Sequence, residues 1–205
     1  MLAVVVLPLA LLVIPAYLIG TFPSAALVAR AGGHDVLAEG SGNPGASNVT
    51  RLMGWKAGAV VMVADFLKGT LAAGVGLAVS GRVGAYALGI AAVLGHVFPV
   101  TRRFKGGKGV ATASGALVVL FPWIVAILAV VWFVLARLLK RASVASIVCT
   151  LLFLVLAIVA GYEWIEVAVL AGLAVVIVGR HAANLRRLVR GEEPPLPTHR
   201  EEDAA

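Results

Sequence analysis

Long apolar stretches separated by short polar ones organise this chain from Met1 to Val178. A helix needs about 20 apolar residues to cross the roughly 30 Å hydrocarbon core of a bilayer. Five stretches meet or approach that length, over 2–28, 57–79, 83–100, 144–160 and 164–178, and each reads as a membrane span. A sixth, 110–136, is long for one crossing and short for two. Pro122 falls near its middle, within Phe121-Pro122-Trp123, and a helix-breaking proline beside aromatics of the interfacial type predicts a turn. The first of the two helices expected there, over 110–121, would rise only about 18 Å and be tilted or incompletely spanning.

The polar intervals decide the count and the orientation, because Lys and Arg concentrate in cytoplasmic loops. With 110–136 as two crossings and the N-terminus outside, four basic clusters share one side: Arg30 to Lys56, Arg102 to Lys108, Arg137 to Arg141 and Arg180 to Arg190. Only Arg82 is left in an external turn. A single crossing would put the second and third clusters on opposite faces. The pattern therefore predicts an all-α, polytopic integral membrane protein of seven transmembrane helices, one or two of them short, with the N-terminus outside and the C-terminus cytoplasmic. One transmembrane domain is expected over 1–190, followed by a polar, disordered cytoplasmic tail over 191–205 that carries Pro194, Pro195 and Pro197. The first apolar run lacks a basic n-region and reads as a retained span, not a signal peptide. No internal repeat at a fixed period supports an inverted-repeat transporter.

Composition fits that picture: 61% of the 205 residues are hydrophobic, 13% are charged, and the mean hydropathy is +1.02. A net charge of +7 would suit nucleic acid, but the cations lie in short clusters between apolar runs, so no nucleic-acid partner is expected. Cys149 is the one cysteine and sits within an apolar run, which excludes an internal disulfide or a cysteine metal site.

Three polar segments could do chemistry. Phe104-Lys105-Gly106-Gly107-Lys108-Gly109 leads from a basic loop directly into an apolar helix. Glycines let backbone N–H groups approach an anion, a helix N-terminus adds positive potential, and Lys108 adds a full charge. Gly109 follows the lysine where a Walker A loop has Ser or Thr, so this is a different anion nest. A second segment, Gly40 to Val49 followed by Arg51, places Ser41, Gly42, Asn43, Gly45 and Asn48 in a shaped turn beside one guanidinium. The third is Arg180-His181 with Asn184, Arg186 and Arg187, where residues 181 and 184 share a helix face at i, i+3. Each also has a bland reading: a topogenic basic loop, turn chemistry, a structural interfacial histidine. Asp65 and Lys68, at i, i+3 within a span, are expected to pair, because each charge left unpaired in the bilayer costs about 2.5–3.5 kcal/mol. His96 reads as a local hydrogen-bond partner, and Ser24 and Ser143 as helix caps or ligand donors.

Absences narrow the chemistry. There is no His-x-x-x-x-Asp pair and no Gly-x-Ser-x-Gly elbow, and the acidic residues are too scattered for a Mg²⁺ cage. No metal and no cofactor are expected.

Taken together, the three segments resemble the acyl-phosphate-dependent glycerol-3-phosphate acyltransferases of bacterial membranes. The matching stretches are GSGNPGASNVTR (40–51), GHVFPVTRRFKGGKGVAT (95–112) and RHAANLRR (180–187), with weaker support over 20–30, 65–69 and around Ser143. The resemblance implies a seven-span fold and transfer of a fatty acyl group from acyl phosphate to the sn-1 hydroxyl of glycerol 3-phosphate, giving lysophosphatidic acid and phosphate. It implies a bacterial plasma membrane with the site on the cytoplasmic side, acyl phosphate, glycerol 3-phosphate and the lipid bilayer as partners, and the soluble enzyme that produces acyl phosphate as a candidate partner. His181, Asn184, Lys108 and Ser41 would then be catalytic. Arg51, Lys105, Gly106, Gly107, Gly109, Gly42, Asn43, Gly45, Asn48 and Ser143 would bind substrate and phosphate. Either neutral His181 or the donor's own phosphate could take the hydroxyl proton. Two positions depart from the pattern: Ala183 stands where an acid is expected before Asn184, and Arg102-Arg103 replace a more neutral pair. The rival from another class is a transporter of a phosphorylated or other anionic metabolite, for which a basic cytoplasmic vestibule would also serve.

Overall fold

The computed structural model describes residues 2–197, with side chains from Leu9 onward. Among these residues there is no strand. The helices are α1 (Leu2–Thr21), α2 (Ser24–Ala31), α3 (Ala46–Val97), α4 (Val110–Val118), α5 (Pro122–Leu139), α6 (Ala142–Val159), α7 (Trp164–Arg180) and α8 (Ala182–Val189). Four stretches are long and apolar enough to cross a membrane, Leu9–Ala31, Ala46–Arg102, Pro122–Leu139 and Ala142–Val159, and α7 with α8 makes a fifth if that pair, bent by 52°, is one span.

Breaks inside the apolar runs have local causes. Pro23 lies in the break between α1 and α2, at Phe22-Pro23. In α3 the helical geometry fails at Gly54 and again at Ser80-Gly81, where Gly81 takes a φ of 59°. That second break separates the two spans predicted over 57–79 and 83–100, and the chain folds back on itself there. A Cβ on Gly76 would lie 2.1 Å from the Gly84 carbonyl oxygen, and one on Gly84 would lie 2.1 Å from that of Gly76. The break predicted at Pro122 is also present. Pro122 starts α5, where its missing N–H costs nothing.

The chain forms two compact units, Met1–Pro122 and Trp123–Ala205, where the sequence predicts one domain over 1–190. In the first, backbones approach closely through small residues, the packing mode that works in lipid, where apolar burial gives no drive. A Cβ on Gly20 would sit 2.0 Å from the Ala92 oxygen, and one on Gly69 would sit 1.9 Å from that of Thr112. α1 is thereby set against the second leg of α3, and α4 against the first. Large apolar side chains such as Leu11, Ile14 and Val83 face outward while Asp65, Lys68 and Thr112 are buried, the polarity expected where lipid is the solvent.

In the second unit the tail departs from expectation. Within 191–197, Glu193 and Leu196 are buried, and the Leu196 N–H donates to the Lys140 carbonyl at 2.9 Å. The remainder of the predicted tail, 198–205, lies outside the described residues.

Candidate active site

The glycine loop is built on the end of α3. Tyr17 Oη donates to the Phe98 carbonyl at 2.6 Å and accepts from the Val100 N–H at 3.0 Å, tying the loop's start to α1. A 3-10 turn follows over Val100–Arg102, then Arg103 and Phe104 in left-handed conformation, at φ 51° and 61°. The chain returns beneath, and the Gly107 N–H donates to the His96 carbonyl at 3.1 Å. No side chain fits at these glycines. A Cβ on Gly106 would lie 2.2 Å from the His96 oxygen, and one on Gly107 would lie 2.2 Å from His96 Nε2. Gly109, at φ 86°, starts α4, whose first intrahelical bond is Ala113 N–H to the Gly109 carbonyl. By helix geometry the N–H groups before Ala113 have no partner within α4, and they carry the positive end of its dipole. Lys108 is half-buried at this terminus and Lys105 is exposed. The loop thus has the glycine turn into a helix N-terminus beside Lys108 that the sequence predicts, and within it the Gly107 N–H is already bonded to the His96 carbonyl.

Behind this loop lies a buried ionic network. Lys68 Nζ donates to the Phe22 carbonyl at 2.7 Å, to Ser24 Oγ at 3.0 Å and to Asp65 Oδ1 at 2.6 Å, so all three ammonium protons are placed. The Ser24 hydroxyl donates to the same carboxylate oxygen. His96 Nδ1 stands 3.7 Å from it, beyond hydrogen-bond length but within electrostatic reach. The pairing expected of Asp65 and Lys68 is observed, and Ser24 joins it instead of capping its helix.

The 40–51 segment is organised by Asn48. Its Oδ1 accepts the Ser41 N–H at 2.8 Å, and its Nδ2 donates to the Val36 carbonyl at 3.1 Å and the Glu39 carbonyl at 3.0 Å. Gly40, at φ 60°, leaves room for that amide, since a Cβ there would lie 2.3 Å from Asn48 Oδ1. Asn48 is buried, and its amide bonds give the loop its shape. Ser41, Asn43 and Gly45 are half-buried and Gly42 is exposed on the resulting surface, with half-buried Arg51 in the second turn of α3. Beside it, Glu39 accepts from His34 Nδ1 at 2.7 Å and from the Asp35 N–H at 2.7 Å, and these bonds hold its carboxyl below the usual range.

The second unit holds the remaining predicted residues. His181 is fully buried where α7 passes into α8, and its Nδ1 is 2.8 Å from the Ile177 carbonyl. A carbonyl only accepts, so Nδ1 carries the proton, and in the neutral form of the ring the lone pair is on Nε2. Asn184 and Ser143 are brought together by a residue the sequence reading placed in a free tail: Glu193. Its Oε1 accepts from Asn184 Nδ2 at 2.6 Å and from Ser143 Oγ at 3.0 Å, and its Oε2 accepts from Arg187 Nε at 2.8 Å. Burial works to raise the Glu193 pKa, but the bonds from Asn184, Arg187 and Ser143, with the charge of Arg187, outweigh it and hold the carboxyl below its ordinary value. The signal available in the sequence was the position of an acid within reach of Asn184 and Arg187, a few residues past α8. Among the described residues no three His, Cys, Asp or Glu side chains gather into a group that could hold a metal ion.

The family model for glycerol-3-phosphate acyltransferase matches residues 10–191 of this chain. A glycerol-3-phosphate acyltransferase of Bacillus cytotoxicus is 44% identical over 185 residues, covering 90% of this chain and 93% of the relative. That of Bacillus subtilis is 39% identical over 189 residues, covering 92% and 97%. The crystal structure of PlsY (YgiH), an integral membrane glycerol 3-phosphate acyltransferase, in its glycerol 3-phosphate form superposes with a TM-score of 0.87 at 37% identity, covering 93% of this chain and 96% of that one. Its lysophosphatidic acid form gives 0.84 at 37% identity, covering 92% and 95%.

Proposed function

This chain belongs to the glycerol-3-phosphate acyltransferase family, and from that premise we propose that it transfers a fatty acyl group from acyl phosphate to the sn-1 hydroxyl of glycerol 3-phosphate. The products are lysophosphatidic acid and inorganic phosphate. It works in a bacterial plasma membrane as a seven-span protein, N-terminus outside, with its site on the cytoplasmic side. The glycine loop carries this reading: its shape, Lys108 and the N-terminus of α4 suit a phosphate, and both substrates and one product are phosphorylated.

In the reaction the glycerol oxygen attacks the acyl carbonyl carbon, the bond from that carbon to the phosphate oxygen breaks, and an ester forms. Lys108, Ser41 and the N–H groups at the start of α4 hold one phosphate, and Arg51 with Lys105 holds the other. His181 and Asn184 orient the hydroxyl. Two acceptors suit its proton: Nε2 of His181, whose lone pair is set by the Ile177 contact, and the departing phosphate. Positioning and charge stabilisation supply most of the acceleration. The acyl chain remains among the apolar helices, and the soluble producer of acyl phosphate is a candidate partner.

The experiment is to incubate the purified protein with labelled glycerol 3-phosphate and either acyl phosphate or acyl-CoA. Lysophosphatidic acid formed from acyl phosphate alone is the expected result. Product from acyl-CoA alone, or no product together with glycerol 3-phosphate flux into sealed vesicles, would overturn it.

A further inference from the structure

The ionic network beneath the glycine loop has no part in the chemistry above, yet it is buried, charged and in contact with that loop. We propose that His96 and Asp65 are positioning residues that set the shape of the loop carrying Lys108. The inference rests on the loop's reading as a phosphate site.

His96 holds the loop in two ways. Its carbonyl accepts the Gly107 N–H at 3.1 Å, and its ring occupies the space beside Gly107 that any side chain would need. The three atoms nearest a Cβ on Gly107 are all in that ring, Nε2, Cε1 and Cδ2, at 2.2, 2.9 and 3.1 Å. At Gly106 the obstruction is different, the carbonyl oxygens of His96 and Val97 and Cδ of Pro99. So the ring sets one side of the loop and fixed backbone sets the other.

The ring has an orienting charge behind it. Asp65 Oδ1 lies 3.7 Å from Nδ1 and is held in place by Lys68 and Ser24. Lys68 is in turn anchored to the Phe22 carbonyl between α1 and α2. A chain of contacts thus runs from the α1–α2 break through the first leg of α3 to the loop. Lys108 follows Gly107 directly, Gly109 caps the next helix, and α4 begins at Val110. Movement of the imidazole would move Gly107, and with it the lysine and the N–H groups facing the anion. A displacement of about 1 Å at such a site can cost 10²-fold.

The test is a set of double-mutant comparisons in the full-length protein purified in detergent. KM for each substrate and kcat are read from lysophosphatidic acid formation, with thermal melting as the fold control. Gly107→Ala is expected to raise one of the two KM values at least tenfold while kcat stays within threefold, the pattern of lost binding shared by ground and transition states. Adding His96→Ala removes the obstructing ring and brings that KM down to the value of His96→Ala alone. Gly106→Ala, which meets backbone, gains nothing from His96→Ala. Asp65→Asn and His96→Ala each raise the same KM, and together no further than His96→Ala alone, because the carboxylate acts through the imidazole. Additive effects of Gly107→Ala and His96→Ala, or KM values that stay at the wild-type level in all variants, would overturn the proposal. If the wild-type protein makes no lysophosphatidic acid, the functional reading itself fails. The same cycle is then read by calorimetric titration of inorganic phosphate, where additivity or unchanged affinity again refutes the positioning role.

Discussion

Replacing Glu193 by Gln tests whether the first residues beyond α8 belong to the working structure. The carboxylate is buried and accepts from Asn184, Ser143 and Arg187. A Gln can still accept at one atom, but its NH₂ then faces a second donor, so at least one of the three bonds becomes a donor–donor contact. A hydrogen bond to a charged group contributes about 1.5–3 kcal/mol, so Glu193→Gln should destabilise by roughly 2–3 kcal/mol. For a chain of this size about 2–4 °C of melting temperature corresponds to each kcal/mol, which gives a fall of about 4–12 °C. The assay is thermal melting of both proteins at a series of pH values. The folded pKa of Glu193 is depressed, so its stabilisation is present above its ordinary value of 4.5 and is lost as pH falls through the folded pKa. The gap between the two proteins should therefore be full at pH 7 and narrow below about pH 4.5. A gap under 1 °C at pH 7, or one that widens in acid, would refute the reasoning.

Lys108→Ala should lower kcat/KM for lysophosphatidic acid formation by 10²–10³-fold, the usual effect of removing one preorganised donor; turnover at the wild-type rate would remove the lysine from the site. Gly115→Ala should lower the melting temperature markedly, since its methyl would lie 1.9 Å from the Phe66 carbonyl oxygen. Gly172→Ala, with nothing within 4 Å, should be neutral or stabilise by about 0.4–1 kcal/mol on the same assay.

The features legible in the sequence are those written locally. Apolar runs give helices because every backbone polar group must be satisfied within its own segment in lipid, and prolines break them, so Pro122 marks the start of α5. The glycine loop is legible because glycine, lysine and a following apolar helix are contiguous. What escaped depends on contacts distant in sequence or on how an atom is used. The His96 ring can be placed beneath Gly107 only once the chain has turned back from Pro99. Asn48 reads as a donor in composition, and the bonds its amide makes within its own turn appear only once that turn is folded. Glu193 stands among prolines without periodicity, which reads as free chain, and its burial follows from three donors supplied by α6 and α8. Fold-back within α3 was suggested by the gap between two apolar runs, and Gly76 and Gly84 show its tightness.

The shortness of α4 bears on where charge can reside. Its nine residues rise about 14 Å, under half of the roughly 30 Å of hydrocarbon in a bilayer. With its Val118 end at one face of the membrane, its Gly109 end would stop well below the other. An anion held at that end would meet the helix field in a medium that screens it far less than water does. A water-soluble alcohol could then be drawn down to a lipid-borne acyl group, and the acyl group would not have to leave the bilayer to react.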